Sequence, residues 1–309
     1  MTRENSSDRL KTAAPSPLRS WWFLVGFSIR RLARVKQMVG IAIGLLLVTC
    51  LVVVLVTSRF GWERHVNRSD QASLVALPFV AGGMAAPVLE DSPHMIALRR
   101  ESKPLAVFSR WLVFFLFLGF LLPLWSLSFA TSALGSERES RSLIWLMTRP
   151  MPRSGIYLAK FFALLPWCIA MNLGGFVLLC LAGGETGLKA LSLYWPAVIG
   201  GTVAFAAVFH LIAGLFARPA IVGLLYAFFF ETILSELPVP GTVKRLSINY
   251  YTRCLMYSAA QTEDVPTESS ALFVPVSDRV AWLVLIGATV VITSVGMWLF
   301  ARSEYRDDA

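Results

Sequence analysis

The sequence predicts an all-α membrane protein with six transmembrane helices, an N-terminal interfacial helix and a short cytoplasmic helix. Three observations carry that expectation. Hydrophobic residues make up 56% of the chain and charged residues only 15%, whereas soluble domains carry about 25% charged residues. Six apolar runs approach the ~20 residues that a helix needs to cross a bilayer. Lys and Arg crowd beside those runs, where they set orientation. The same composition excludes intrinsic disorder, which needs low hydrophobicity and high net charge.

The first 37 residues form a polar, basic tail that ends in a candidate interfacial helix. Trp21, Trp22, Phe23 and Phe27 precede Arg30, Arg31, Arg34 and Lys36. An aromatic start and a basic finish suit a helix lying along the cytoplasmic face of the membrane; a plain basic flank that only sets topology has the same composition. No apolar core followed by small residues opens the chain, which argues against a cleaved signal peptide.

A transmembrane domain is expected over residues 38–302, with spans at 39–57, 111–133, 156–182, 194–216, 219–234 and 280–300. Ser154 is placed to cap the third span. The fifth span is short and interrupted by Glu231. Outside loops fall at 58–110 and 236–279. The first contains an apolar patch at 74–88, broken by Pro78, Gly82, Gly83 and Pro87, that suits an interfacial or re-entrant piece. The second carries Pro238, Pro240 and a Tyr-rich stretch, and is expected to be partly helical and membrane-hugging. Residues 303–309 form a cytoplasmic tail. With both termini in the cytoplasm, fifteen Lys/Arg lie inside and twelve outside, and nearly all of the +9 net charge is cytoplasmic.

Several chemistries have no footing. There is no GxxxxGK[ST] phosphate loop, no HExxH and no GxSxG. The four cysteines lack metal-ligand spacing, and three histidines make a histidine-rich metal site a poor expectation. The basic charge sits in short flanks beside apolar runs, so it marks topology rather than nucleic-acid binding. The chain is therefore not expected to be an enzyme.

Two ionisable groups lie inside expected spans and are candidates for a translocation path: His210 in the fourth and Glu231 in the fifth. A charge at mid-bilayer costs roughly 2.5–3.5 kcal/mol on insertion scales, so such groups face protein or a water-lined interior. Glu231 either does so or reaches water at the outer end of its span. A neutral His210 bonded to a neighbouring helix fits its position, and Lys160 is expected to snorkel back to the cytoplasmic surface.

The segment 134–154 between the second and third spans is the most informative. Ser136 and Glu139 form an S-x-x-E capping box, and Pro150 and Pro152 stop the helix that it starts. Leu143, Leu146 and Met147 share one face; Arg138, Arg141, Trp145 and Arg149 share the opposite one, with Glu137 placed to pair with Arg141. The helix is two-sided, apolar toward the bundle and basic-aromatic toward the cytoplasm. With Glu137-Arg138-Glu139, Ser142-Leu143-Ile144-Trp145, Pro150, Arg153 and the early Lys160, this stretch resembles the ABC-2 type family of ABC transporter permeases. The large outside loops are reminiscent of the permeases that accompany multi-copper enzyme maturation.

That resemblance implies a bacterial inner-membrane permease that moves a substrate, in the export direction. It also implies a second permease copy or paralogue, and a separate cytoplasmic ABC ATPase that holds ATP and Mg while this chain binds no cofactor. Glu137, Arg138, Glu139, Arg141, Trp145, Arg149 and Arg153 would then contact the ATPase. Two other classes remain: a stand-alone carrier using Glu231 and His210 as a proton relay, and a non-transporting membrane scaffold.

Overall fold

The computed structural model describes residues 17–32, 40, 43–44, 46–51, 53–55, 104–135, 152–233, 244–261 and 275–302. Among these residues the chain is helical, without strands. The expected cytoplasmic segment at 136–150 and the apolar patch at 74–88 lie outside them.

The first helix, α1 (Pro17–Leu32), starts on a proline, whose fixed φ and missing N–H suit a first turn. Leu24, Val25, Ser28 and Leu32 are buried at helical spacing. The opposite face exposes Trp22, Phe23 and Phe27. A short apolar helix, α2 (Leu46–Leu55), occupies the middle of the first expected span.

Four helices among the described residues are long and apolar enough to cross a membrane. These are α3 (Pro104–Leu134), α4 (Arg153–Ala182), α5 (Gly184–Leu215) and, last in the chain, Asp278–Arg302. They coincide with the second, third, fourth and sixth expected spans, though all four begin earlier than expected. The start of α4 is a correction in detail. Pro152, extended at φ −64° and ψ 135°, is its N-cap, not Ser154.

The expected gap between the third and fourth spans does not exist. Gly183 closes α4, Gly184 adopts φ +66°, and α5 begins at once. That left-handed turn favours glycine. Gly187 completes it, because a Cβ there would overlap the Cys180 carbonyl.

The fifth expected span is a broken element. The short helix α6 (Pro219–Leu225) passes directly into a π-wound stretch, Tyr226–Ile233. A second π-wound stretch, Ser109–Leu121, lies within α3. After a turn at 244–247 comes α7 (Ile248–Ala260), a helix inside the expected second outside loop. The last long helix, α8 (Asp278–Arg302), has Asp278 in its first turn and Arg302 in its last, as the helix dipole favours.

The core is built around α5, which packs against α3, α4, α6, α7 and α8. Interdigitated aromatics fill it: Trp125, Tyr157, Tyr194, Phe117, Phe176, Phe205 and Phe209 are fully enclosed. The outer face of α8 carries exposed Leu283, Ile286, Val290 and Val291, an apolar surface suited to lipid. Two indoles fasten α1 to α4. Trp21 Nε1 donates to the Gly155 carbonyl at 2.9 Å, and Trp167 Nε1 donates to the Ile29 carbonyl at 3.1 Å.

Candidate functional site

The most developed polar cluster is centred on Glu231, which is fully buried. Winding brings its first partner within reach. Residues five apart on an α-helix lie on different faces, but a π-wound turn closes by i→i+5 bonds and sets them near each other. Tyr226, five residues earlier, donates its hydroxyl to Glu231 Oε1 at 2.6 Å. The Tyr226 ring is held in place by stacking on Phe230 at 5.3 Å and by the edge of Phe209 at 6.0 Å.

The remaining partners come from the start of α7. Ser247 Oγ donates to Oε2 at 2.6 Å, Ile248 N to Oε1 at 3.2 Å and Asn249 N to Oε2 at 3.0 Å. Ser247 is itself the N-cap, accepting from Tyr250 N at 3.2 Å. An ionised carboxylate accepts hydrogen bonds at about four lone-pair sites and donates none. Glu231 therefore has a donor for each site, two on each oxygen. A helix N-terminus also favours negative charge, because its first N–H groups lack intrahelical partners. The arrangement answers how a carboxylate can lie inside an apolar bundle: it caps a helix from a different element.

The cluster extends along α7, whose residues are nearly all buried despite its polarity. Asn249 is fully enclosed, and neither atom of its side-chain amide has a hydrogen-bond partner among the described residues. One turn on, the buried Arg253 reaches the Phe114 carbonyl in the π-wound part of α3, Nη2 to O at 3.4 Å. Phe114 also packs on Tyr257 at 4.9 Å. Cys254, on the same helix, is fully buried. Burial pushes its thiol pKa up from the ordinary value.

His210 occupies different surroundings. Its Nε2 lies 3.2 Å from the Tyr157 carbonyl on α4, and its ring packs on Tyr157 at 4.4 Å and Phe161 at 5.7 Å. It is fully enclosed, and Nδ1 has no partner among the described residues. Lys160 corrects an expectation, because it is buried at 2% exposure instead of reaching the aqueous surface. Of the expected ATPase contacts, Arg153 is exposed at the first residue of α4. Glu137, Arg138, Glu139, Arg141, Trp145 and Arg149 lie outside the described residues.

Sequence reasoning singled out Glu231 but missed Tyr226, Ser247, Asn249 and Arg253. Ser247 before an apolar-aromatic run is an N-cap signal that could have located α7. Nothing in the sequence announces the π-winding that delivers Tyr226. A second buried polar contact was also missed: Asn172 Nδ2 donates to Ser126 Oγ at 3.1 Å and to the Cys168 carbonyl at 3.0 Å, tying α4 to α3.

A family model described as "ABC-2 family transporter protein" matches residues 74–234, a little over half of the chain. The match takes in α3 to α6, with His210 and Glu231, and stops before α7. No curated protein matches the chain.

Proposed function

The chain belongs to the ABC-2 family of transporter proteins, and from that premise we propose that it is the membrane-spanning permease subunit of an ATP-driven transporter. It works as one of two permease copies or paralogues in the bacterial inner membrane, with both termini in the cytoplasm. ATP and Mg are held by a separate cytoplasmic ABC ATPase, and the direction is export. The permease itself performs no bond-breaking chemistry. The observation that carries this reading is the family match over 74–234, laid on four helices long and apolar enough to cross a membrane.

In this reading α2 and the broken α6 contribute the remaining two crossings. The exposed aromatic face of α1 lies at the cytoplasmic headgroup level, where amphipathic rings settle. The 136–150 segment delivers force from the ATPase. It sits between the ends of α3 and α4 in the chain, so any push on it acts on both. Trp and Arg are enriched in binding hot spots, which makes Arg138, Arg141 and Trp145 the contact stripe. A stand-alone carrier would need Glu231 and His210 to exchange a proton. Their separate surroundings, one on the first turn of α7 and the other on α4, favour the permease instead.

The test is purification of the tagged chain from native membranes, then reconstitution. A cassette ATPase should co-purify, and transport should need ATP hydrolysis. Trp145→Ala should weaken ATPase binding. Glu137→Lys should spare insertion yet uncouple hydrolysis from transport. Transport driven by a proton gradient without an ATPase would overturn the reading.

A further inference from the structure

Three of the hydrogen bonds at Glu231 join two elements that are separate in the sequence. Tyr226 and Glu231 belong to the π-wound end of α6, whereas Ser247, Ile248 and Asn249 belong to the start of α7. We propose that Glu231 is a positioning residue that latches α7 into the bundle, acting on transport through the seat of that helix and not by carrying a proton. The inference rests on the permease reading only for its effect on transport; the seat itself is a property of this chain.

Three features support a latch over a passive contact. First, α7 is polar for a buried helix, so apolar packing alone holds it less firmly than its neighbours. It brings Asn249 into the interior with its amide unpaired among the described residues, a group that costs stability wherever it is enclosed. Second, α7 lies between two π-wound stretches. It is bonded to Glu231 in one and, through Arg253, to the Phe114 carbonyl in the other. Such stretches are uncommon and gather at functional positions. Third, the donor set demands a carboxylate. Glutamine has the same shape, but its amide presents an oxygen on one side only. Whichever way it is turned, the N–H of Ile248 or of Asn249 faces an NH₂ group and loses its acceptor.

Native cysteines provide the readout. Cys254 is enclosed on α7, and Cys168 is enclosed on α4, away from the latch. The full chain in native membranes is treated with N-ethylmaleimide and each cysteine is followed by peptide mass spectrometry. In the parent both should label slowly. Glu231→Gln and Ser247→Ala should speed Cys254 by about tenfold or more, the increase in opening expected when a buried N–H or hydroxyl loses its partner. Cys168 should keep its parent rate, and Glu231→Asp should restore part of the protection. A parallel rise at Cys168 would mean that Glu231 holds the whole bundle, and would overturn the proposal. So would unchanged Cys254 labelling in both variants. Loss of transport in Glu231→Gln with Cys254 still protected would point to a proton relay and overturn it too. The labelling needs neither ATPase nor transport, so it stands or falls separately from the permease reading.

Discussion

Adjacent glycines on α4 offer a controlled measurement of how closely three helices approach. A Cβ built on Gly174 meets nothing within 4 Å. One built on Gly175 would fall 2.5 Å from Cη2 of Trp125 on α3 and 2.8 Å from Cδ1 of Leu46 on α2. Both are far inside ordinary contact. The Trp125 indole cannot swing aside, being 1% exposed and boxed in by Phe117 at 6.3 Å, which itself packs on Phe176 at 4.9 Å. Each Gly→Ala change removes a backbone-entropy cost of about 0.8–1.0 kcal/mol in a helix interior. At Gly175 the added methyl also brings overpacking, which costs about 1–3 kcal/mol. The helix term cancels between the two variants, leaving Gly175→Ala less stable than Gly174→Ala by about 1–3 kcal/mol. Unfolding by SDS in mixed micelles, followed by tryptophan fluorescence, measures this directly. Equal stability of the two variants would refute the close approach of α2, α3 and α4 at this point.

Three further expectations follow. Trp21→Phe and Trp167→Phe each remove one indole N–H that fastens α1 to α4. Each should cost about 0.5–1.5 kcal/mol, the net worth of one hydrogen bond, and the pair together should quicken tryptic cleavage at the exposed Arg30. Reporter fusions after residues 234 and 300 should sit on opposite sides of the membrane, because α8 lies between them; the same side for both would sink the six-span reading. Cys254, although in an expected outside loop, should resist an impermeant maleimide at neutral pH. It is enclosed, and its raised thiol pKa leaves little of the reactive thiolate there.

Hydropathy located α3, α4, α5 and α8 because each contains an apolar stretch long enough to cross a membrane, and that is a property of composition. It misjudged where they begin. The first ten residues of α5 include Glu185 and Lys189, both exposed, and averaging over them resembles a loop. The Gly183-Gly184 turn joins them directly to α4, with no residues left over for a loop. Lys160 was misplaced for a related reason: a rule about charge and depth does not know which neighbours enclose a side chain. Glu231 was conspicuous because a carboxylate in an apolar run is rare. Its purpose was not legible, because the donors that satisfy it start sixteen residues later and because a 3.6-residue period puts Tyr226 on the wrong side. Ser126 and Asn172 were hidden in the same way, two small polar groups each unremarkable until two helices set them together.

The join at Gly183-Gly184 gives α4 and α5 a mechanical character of their own. At 1.5 Å per residue, helices of 30 and 32 residues are about 45 and 48 Å long, against ~30 Å of hydrocarbon. Both must lean or protrude, and with a hinge this short neither can do so alone. No flexible connector lies between the two arms to take up a difference in slope. α4 starts where the 136–150 segment ends, and α5 touches every other long helix in the bundle. The pair therefore runs as one connected path from Arg153, through the glycine turn, to the axis around which the protein is packed.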